Sequence, residues 1–299
     1  RENAELRLRA GAESALTGDS PAIGALRAAV DKVAPTGSRV LVSGPAGSGK
    51  EVVARMIHAH SRRADGPFIA LNCATLNPAR FEEELFGVEG GADPMTQPRR
   101  AGVLERAHGG TLLLDEVSDM PLETQGKIVR ALQDQSFERL GGSARVRVDV
   151  RVLSITNKDL QAEIANGRFR EDLYYRLAVV PLRVPALRER REDVPALARL
   201  FLTRSAESSG MQGRDLSADA LSALQAYDWP GNVRQLRNLM DWLLIMAPGS
   251  AADAIRAEML PPEVGSAAPA LFNADPTADI MGLPLREARD LFETQYLQA

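Results

Sequence analysis

Gly44-Pro45-Ala46-Gly47-Ser48-Gly49-Lys50 stands between a β-branched run, Arg39-Val40-Leu41-Val42-Ser43, and a stretch from Glu51 to Ser61. In that stretch Val52, Val53, Met56 and Ile57 recur at helical spacing. Strand, glycine-rich loop, lysine and helix in this order are the context a phosphate-binding Walker A loop requires. The glycines let backbone amides approach phosphate oxygens, the helix N-terminus adds positive potential, and Lys50 reaches the outer phosphates. Position 51 is Glu, where the general motif has Ser or Thr to hold Mg²⁺, so metal coordination must lean on other groups and water. A second acidic site supports the first. Leu112-Leu113-Leu114-Asp115-Glu116 ends an apolar run with two carboxylates at a sheet edge. A lone Asp-Glu pair after a strand is usually just solvated. Beside the loop, Asp115 is expected to hold Mg²⁺ through water and Glu116 to act as general base on an attacking water. ATP hydrolysis is the chemistry this pair of motifs favours.

The same alternation continues outward. Ile23–Val33 reads as a helix, 67–72 (PFIALN) as a strand, and 78–86 as a helix opening on proline. Residues 111–115 read as a strand buried on both faces, 121–135 as a helix, and 146–155 and 179–184 as strands. Strands alternating with helices predict an α/β fold built on a parallel sheet. After about Pro185 the strand signal stops, and 193–208, 217–227 and 232–246 read as helices, with Asp193 and Ser217 as capping residues. That is a small all-helical second domain. Residues 261–282 are rich in Ala, Pro, Gly and Asp without periodicity, as in a flexible linker, and 283–299 reads as the start of another helix.

Composition narrows the class. At 299 residues the chain has room for about two domains, and 44% apolar with 25% charged residues is ordinary for a globular protein. One cysteine, Cys73, allows no internal disulfide, which suits a reducing compartment. No apolar run approaches the ~20 residues of a membrane span, and no signal peptide opens the chain, so a cytoplasmic location without membrane contact is expected. A net charge of −4 leaves no global basic surface for nucleic acid. The chain starts at Arg1 and stops inside an expected helix at Ala299, which reads as a piece of a longer protein.

Eight strings together resemble the central AAA+ ATPase of bacterial enhancer-binding response regulators, the sigma-54 activators. They are GPAGSGKEVVARMIH (44–58), PFIALNCA (67–74), EELFG (83–87), GGTLLLDEVSDMP (109–121), FERLGG (137–142), FREDLYYRL (169–177), LRERREDVP (187–195) and WPGNVRQL (229–236). In that family Glu follows the Walker lysine as a rule, which removes the difficulty at Glu51. The resemblance implies a three-layer α/β P-loop sandwich over 17–184 with a helical lid over 185–264. It implies ATP and Mg²⁺ as cofactors, with Gly44, Pro45, Ala46, Gly47, Ser48, Gly49, Lys50 and Glu51 forming the ATP-binding loop. Asn72 becomes the switch that holds or releases Glu116, and Thr156 and Asn157 become sensor I. Arg234 becomes sensor II on the lid. Arg170 and Arg176 become arginine fingers reaching a neighbouring subunit's site, which implies a homo-oligomer, a ring when active and a dimer when inactive.

One string departs from the family. Members that remodel sigma-54 polymerase carry a GAFTGA loop, and the matching segment here is Gly91-Ala92-Asp93-Pro94-Met95-Thr96. Asp93 replaces the aromatic and Pro94 the threonine. A carboxylate cannot make a desolvated aromatic contact, and proline fixes φ and removes a donor. The tail, 249–264 and 283–297, is similar to the NtrX branch, response regulators partnered with NtrY sensor kinases in nitrogen and redox-type signalling. That resemblance implies that 1–16 is a linker helix from a receiver domain, 265–282 a flexible linker, and 283–299 a helix leading to a DNA-binding domain. The implied partners are the sensor kinase, DNA and RNA polymerase. Two readings of output follow: an ATP-hydrolysing motor, its rate left open, or a nucleotide-gated assembly platform with little turnover that works with housekeeping polymerase. A P-loop small-molecule kinase is disfavoured by the WPGNVRQL lid string.

Overall fold

The computed structural model describes residues 16–90, 99–250 and 253–265. The expected linker helix up to Leu16, the Gly91–Thr96 loop, the 265–282 linker and the 283–299 helix lie almost wholly outside the described residues. Ser20 starts the first helix, α1 (Pro21–Val33). Its hydroxyl accepts from the Ile23 amide at 3.3 Å, and Pro21 supplies a ready-set φ at the first turn. Ile23, Leu26, Val30 and Val33 form its buried stripe.

Five strands form one parallel sheet: β1 (Val40–Ser43), β2 (Phe68–Asn72), β5 (Thr111–Asp115), β8 (Arg151–Thr156) and β9 (Val180–Arg183), in the order β2-β5-β8-β1-β9. All six residues of β8 are buried, because it lies between β5 and β1 with helices on both faces. Alternation divides each strand between two cores. Leu112 and Leu114 pack on one side with Phe81, Leu85 and Ile128, while Leu113 packs on the other with Ile23, Val53 and Ile57. The helices involved are α1, α2 (Lys50–Ala59), α3 (Pro78–Phe86) and α5 (Leu122–Asp134). A short helix, α4 (Val103–Arg106), follows the small pair β3 (Gly87–Val88) and β4 (Arg100–Ala101).

The expected strand over 146–155 is two elements. β7 (Arg145–Arg147) pairs antiparallel with β6 (Ser136–Glu138), and only residues from Arg151 onward enter the main sheet. Charge at Arg147 and Asp149 marks the break. The Asp149 carboxylate pairs with Arg63 and its carbonyl accepts from the Gly109 amide, so this corner faces water.

Two further short helices, α6 (Leu160–Ala165) and α7 (Glu171–Leu177), precede β9. A separate helical core then gathers α8 (Val194–Ser209), α9 (Ala218–Ala226), α10 (Asn232–Met246) and α11 (Pro262–Gly265) around Trp229, Leu236 and Met240. The two expected caps act otherwise. Asp193 does not cap α8; its carboxylate accepts from the Asp19 amide (2.8 Å), the Ser20 amide (2.9 Å) and the Ser20 hydroxyl (2.6 Å). It thereby ties the entry to α1 onto the start of the helical part. The Ser217 hydroxyl donates instead to the Ile255 carbonyl at 2.8 Å.

Arg151 is a buried staple. Its guanidinium donates to the carbonyls of Val33 (3.0 Å), Ala34 (2.6 Å) and Ser38 (3.1 Å), satisfying the frayed end of α1 from the base of β8. Arg151→Met would strand these acceptors, and urea unfolding should show a loss of about 3 kcal/mol.

Candidate functional site

The carboxyl edge of the sheet carries the loop. Gly49 caps α2 at φ 102°, a left-handed conformation that suits glycine, and Lys50 begins the helix. Lys50 is 7% exposed, and its ammonium donates to the loop's own carbonyls at Gly44 (3.0 Å) and Pro45 (3.2 Å). It also stands 4.0 Å from Glu116 Oε1. Burial lowers its pKa, against the opposing pull of Glu116 and Asp115, while Arg234 adds to the lowering.

Asn72 and Asp115 are register partners across β2 and β5, so both reach the edge at one level. The Asn72 amide donates to Asp115 Oδ2 at 3.2 Å, and its oxygen accepts from the Ala74 and Thr75 amides. Asn72 thus meets Asp115 in this structure, while Glu116 has other partners. Burial first, then the neighbouring Glu51, raises the Asp115 pKa, with Lys50 pulling the other way. Glu116 sits at φ 51°, uncommon for a residue with a side chain, as the chain leaves the strand for a 3₁₀ turn over Val117–Asp119. Its Oε2 accepts from the Asn157 amide at 3.0 Å. Of the sensor I pair, Asn157 thus meets the acidic edge through its backbone. The Thr156 hydroxyl closes a local turn with Lys158, and the Thr156 carbonyl accepts from the Gly44 amide at 3.3 Å.

The helical part closes over the loop by gripping three consecutive carbonyls. Asn232 Nδ2 donates to Ala46 (2.9 Å), the Arg234 amide to Gly47 (3.2 Å), and Arg190 Nη2 to Ser48 (2.9 Å). A side chain at Gly47 would strike the Gly231 carbonyl, with a Cβ only 2.3 Å from its oxygen. Asn232 also accepts from the Leu187 amide at 2.8 Å, so one side chain joins the loop, the hinge (Leu187–Asp193, a 3₁₀ stretch entering the helical part) and α10. Arg190 is 3% exposed and its Nε finds no partner among the described residues. Sequence reasoning missed both residues. Asn232 lies inside the matched WPGNVRQL string without a role, and Arg190 is one charge among several in LRERRED, indistinguishable from a solvated face.

Arg170 and Arg176 stand apart from this cluster. Arg170 pairs with Asp172 in a two-bond fork (3.0 and 2.7 Å) and Arg176 reaches Gln133 Oε1 at 3.4 Å. Neither contacts the loop, Asp115 or Glu116 among the described contacts. The expected sigma-contact segment, Gly91 to Thr96, lies outside the described residues.

These features define a AAA+ P-loop fold with a helical lid. Residues 16–183 match the family described as the Sigma-54 interaction domain, and 188–276 match the AAA+ ATPase lid domain. The chain belongs to the sigma-54 interaction domain family. It is similar to the nitrogen assimilation regulatory protein NtrX of Azorhizobium caulinodans, 55% identical over 284 residues, covering 95% of this chain and 62% of that protein. It is also similar to the regulatory protein AtoC of Escherichia coli, 46% identical over 82% of this chain and 53% of AtoC. A crystal structure of NtrX from Brucella abortus with ADP superposes with a TM-score of 0.81 at 50% identity, over 98% of this chain and 64% of that one. The corresponding ATP complex gives 0.80 at 49% identity, over 96% and 64%. The chain therefore spans less than two thirds of the NtrX proteins it matches. Among the described residues no helix is long and apolar enough to cross a membrane.

The raised pKa of Asp115 has a consequence for stability. Folding holds this carboxylate charged against burial and Glu51, a cost present at neutral pH and absent once the group is protonated in both states, below about pH 4. Asp115→Asn should therefore unfold at higher urea than the parent at pH 7, without nucleotide, and the gain should fade toward pH 4. A variant less stable at pH 7 would contradict this reading.

Proposed function

We propose that the chain is the ATP-binding and ATP-hydrolysing assembly domain of an NtrX-like two-component response regulator. The observation that carries this is the Lys50 ammonium set between the loop carbonyls and Glu116, under a lid anchored on the same loop. The ADP and ATP complexes of the Brucella relative support it.

Lys50 turns from the loop carbonyls to the outer phosphates, where its charge balances the transferred group. Glu116, held by the Asn157 amide, takes the proton of the attacking water. Asn72, now on Asp115, is close enough to the edge to exchange that partner for Glu116, as a switch requires. Arg234, exposed at the start of α10, contacts phosphate in cis. Arg170 and Arg176 act on the neighbouring protomer, since neither contacts its own acidic edge and the Arg170–Asp172 pair is solvent-exposed and cheap to open. Mg²⁺ fits the donor, because the Asp115 carboxylate is a hard oxygen ligand that would hold it through water, leaving Glu116 free as base. With no group of three ligating side chains among the described residues, phosphate oxygens and water would complete its shell. When bound, it neutralises charge on the phosphates.

Further readings belong to the same proposal. The α/β unit is 17–184 and the lid 185–264. Residues 1–16 lead from a receiver domain that answers a sensor kinase, and 265–282 with 283–299 lead to a DNA-binding domain. The whole acts in the cytoplasm on RNA polymerase, in nitrogen or redox-type signalling. With Asp93 and Pro94 in the contact loop, the protein does not remodel sigma-54 polymerase. As to output, that loop sequence favours the second reading, a nucleotide-gated platform that works with housekeeping polymerase, while the Walker and finger residues favour an ATP-hydrolysing motor.

Calorimetry should show Lys50→Ala losing ATP affinity by roughly 10–100-fold, the worth of a charge-assisted contact. Glu116→Gln should keep ATP affinity within about threefold and lose turnover by about a hundredfold or more. Equal losses of binding and turnover in Glu116→Gln would overturn the division of roles.

In vitro transcription from a sigma-54 promoter with phosphorylated full-length protein should give no ATP-dependent transcript. Losing an aromatic anchor costs about 2 kcal/mol or more at an interface. Robust sigma-54 transcripts would refute the loss of remodelling.

A further inference from the structure

Gln125, in the first half of α5, has no exposed surface, and all of its described hydrogen bonds run to backbone on either side of it. Its Nε2 donates to the Met120 carbonyl at 2.8 Å and to the Arg168 carbonyl at 3.2 Å. Its Oε1 accepts from the Arg170 amide at 2.8 Å. Met120 closes the 3₁₀ turn that begins at Glu116, its amide donating to the Val117 carbonyl. Arg170 is the residue immediately before α7. One buried amide side chain therefore bolts the backbone that follows the acidic edge to the backbone that presents Arg170. The next residue, Gly126, adds a second observation. A Cβ there would lie 3.8 Å from Arg170 Nη1, so the guanidinium runs close over a bare stretch of α5. A Cβ at that distance would make ordinary contact, so the glycine marks how closely the Arg170 side chain lies along α5 and is not required for its passage.

We propose that Gln125 is a positioning residue that sets Arg170 at the angle needed to reach the neighbouring protomer's nucleotide. The proposal rests on the reading of Arg170 as acting between subunits. The physical ground is that a finger is useful only at a fixed place. Arg170's own fork to Asp172 is exposed and weak, so the backbone on which the side chain pivots must be rigid. A glutamine suits this task better than an apolar residue of its size. It satisfies two carbonyls and one amide that have no other described partner at this junction, and its loss would leave the Met120 carbonyl buried and unpaired and the other two groups partly so.

The test uses the full-length protein under assembling conditions. Gln125→Met keeps volume and loses every hydrogen bond. It should lower kcat by about tenfold or more with ATP affinity within about threefold, as expected for a displaced group that acts only in the transition state. Gln125→Asn keeps the amide group on a stem one methylene shorter, should lower kcat in the same direction, and carries the test if Gln125→Met does not fold. The deciding measurement is mixing. A Gln125 variant has an intact site and a misplaced finger, whereas Lys50→Ala has a dead site and an intact finger. Their mixture should exceed the activity of either alone, as should the control mixture of Arg170→Ala with Lys50→Ala. Recovery in the control but not with the Gln125 variant would place Gln125 in its own subunit's chemistry and overturn the proposal. No recovery in the control, with mixed assembly demonstrated, would overturn the reading of Arg170 and the role of Gln125 together.

Discussion

The helical part of this protein holds the phosphate loop by its backbone. Asn232, Arg190 and the Arg234 amide take the carbonyls of Ala46, Ser48 and Gly47, three residues in a row. Neutral hydrogen bonds of this kind contribute about 1 kcal/mol each and one to a buried guanidinium about 2, so the grip is worth a few kcal/mol. A ligand resets the lid only by the difference in its affinity for the two lid positions, and a difference of roughly a hundred- to a thousandfold would match a grip of this size. A shift of the loop's peptide planes would therefore reach the lid through these three contacts, two made by the side chains of Asn232 and Arg190 and one by the Arg234 amide.

The acidic edge contributes function at the expense of stability. Asp115 is charged in a place that resists charge, Glu116 occupies a left-handed backbone conformation, and Lys50 is nearly buried. Each is costly alone, and each is offset by a neighbour: Asn72 on Asp115, the Asn157 amide on Glu116, loop carbonyls on Lys50. Strained backbone and offset charges of this kind cluster at sites that change conformation with their ligand. The sheet beneath supplies the rigidity, with β8 buried along its whole length and Arg151 pinning the end of α1.

Much of this was legible in the sequence because short-range patterns encode it. GPAGSGK between a β-branched run and a helical period, and TLLLDE at the end of an apolar run, define the edge without any tertiary knowledge. The breaks came where tertiary context decides. The run 146–155 has continuous β propensity, yet charge at Arg147 and Asp149 divides it between a hairpin and the main sheet. Asp193 looks like a helix cap by composition and instead serves the distant Ser20. Asn72 meets Asp115 because the two are register neighbours across the sheet, a pairing that no local pattern announces. Arg190 and Gln125 carry no local signal, since a buried arginine and a surface arginine are spelled alike.

The central claim is that the lid and the phosphate loop respond to nucleotide as one unit, and amide hydrogen exchange with and without ATP tests it most directly. Added ATP should slow exchange in the loop at 46–50 and, in parallel, at the hinge over 187–190 and the first turn of α10 from Asn232. Protection confined to the loop, with the hinge and α10 unchanged, would contradict it.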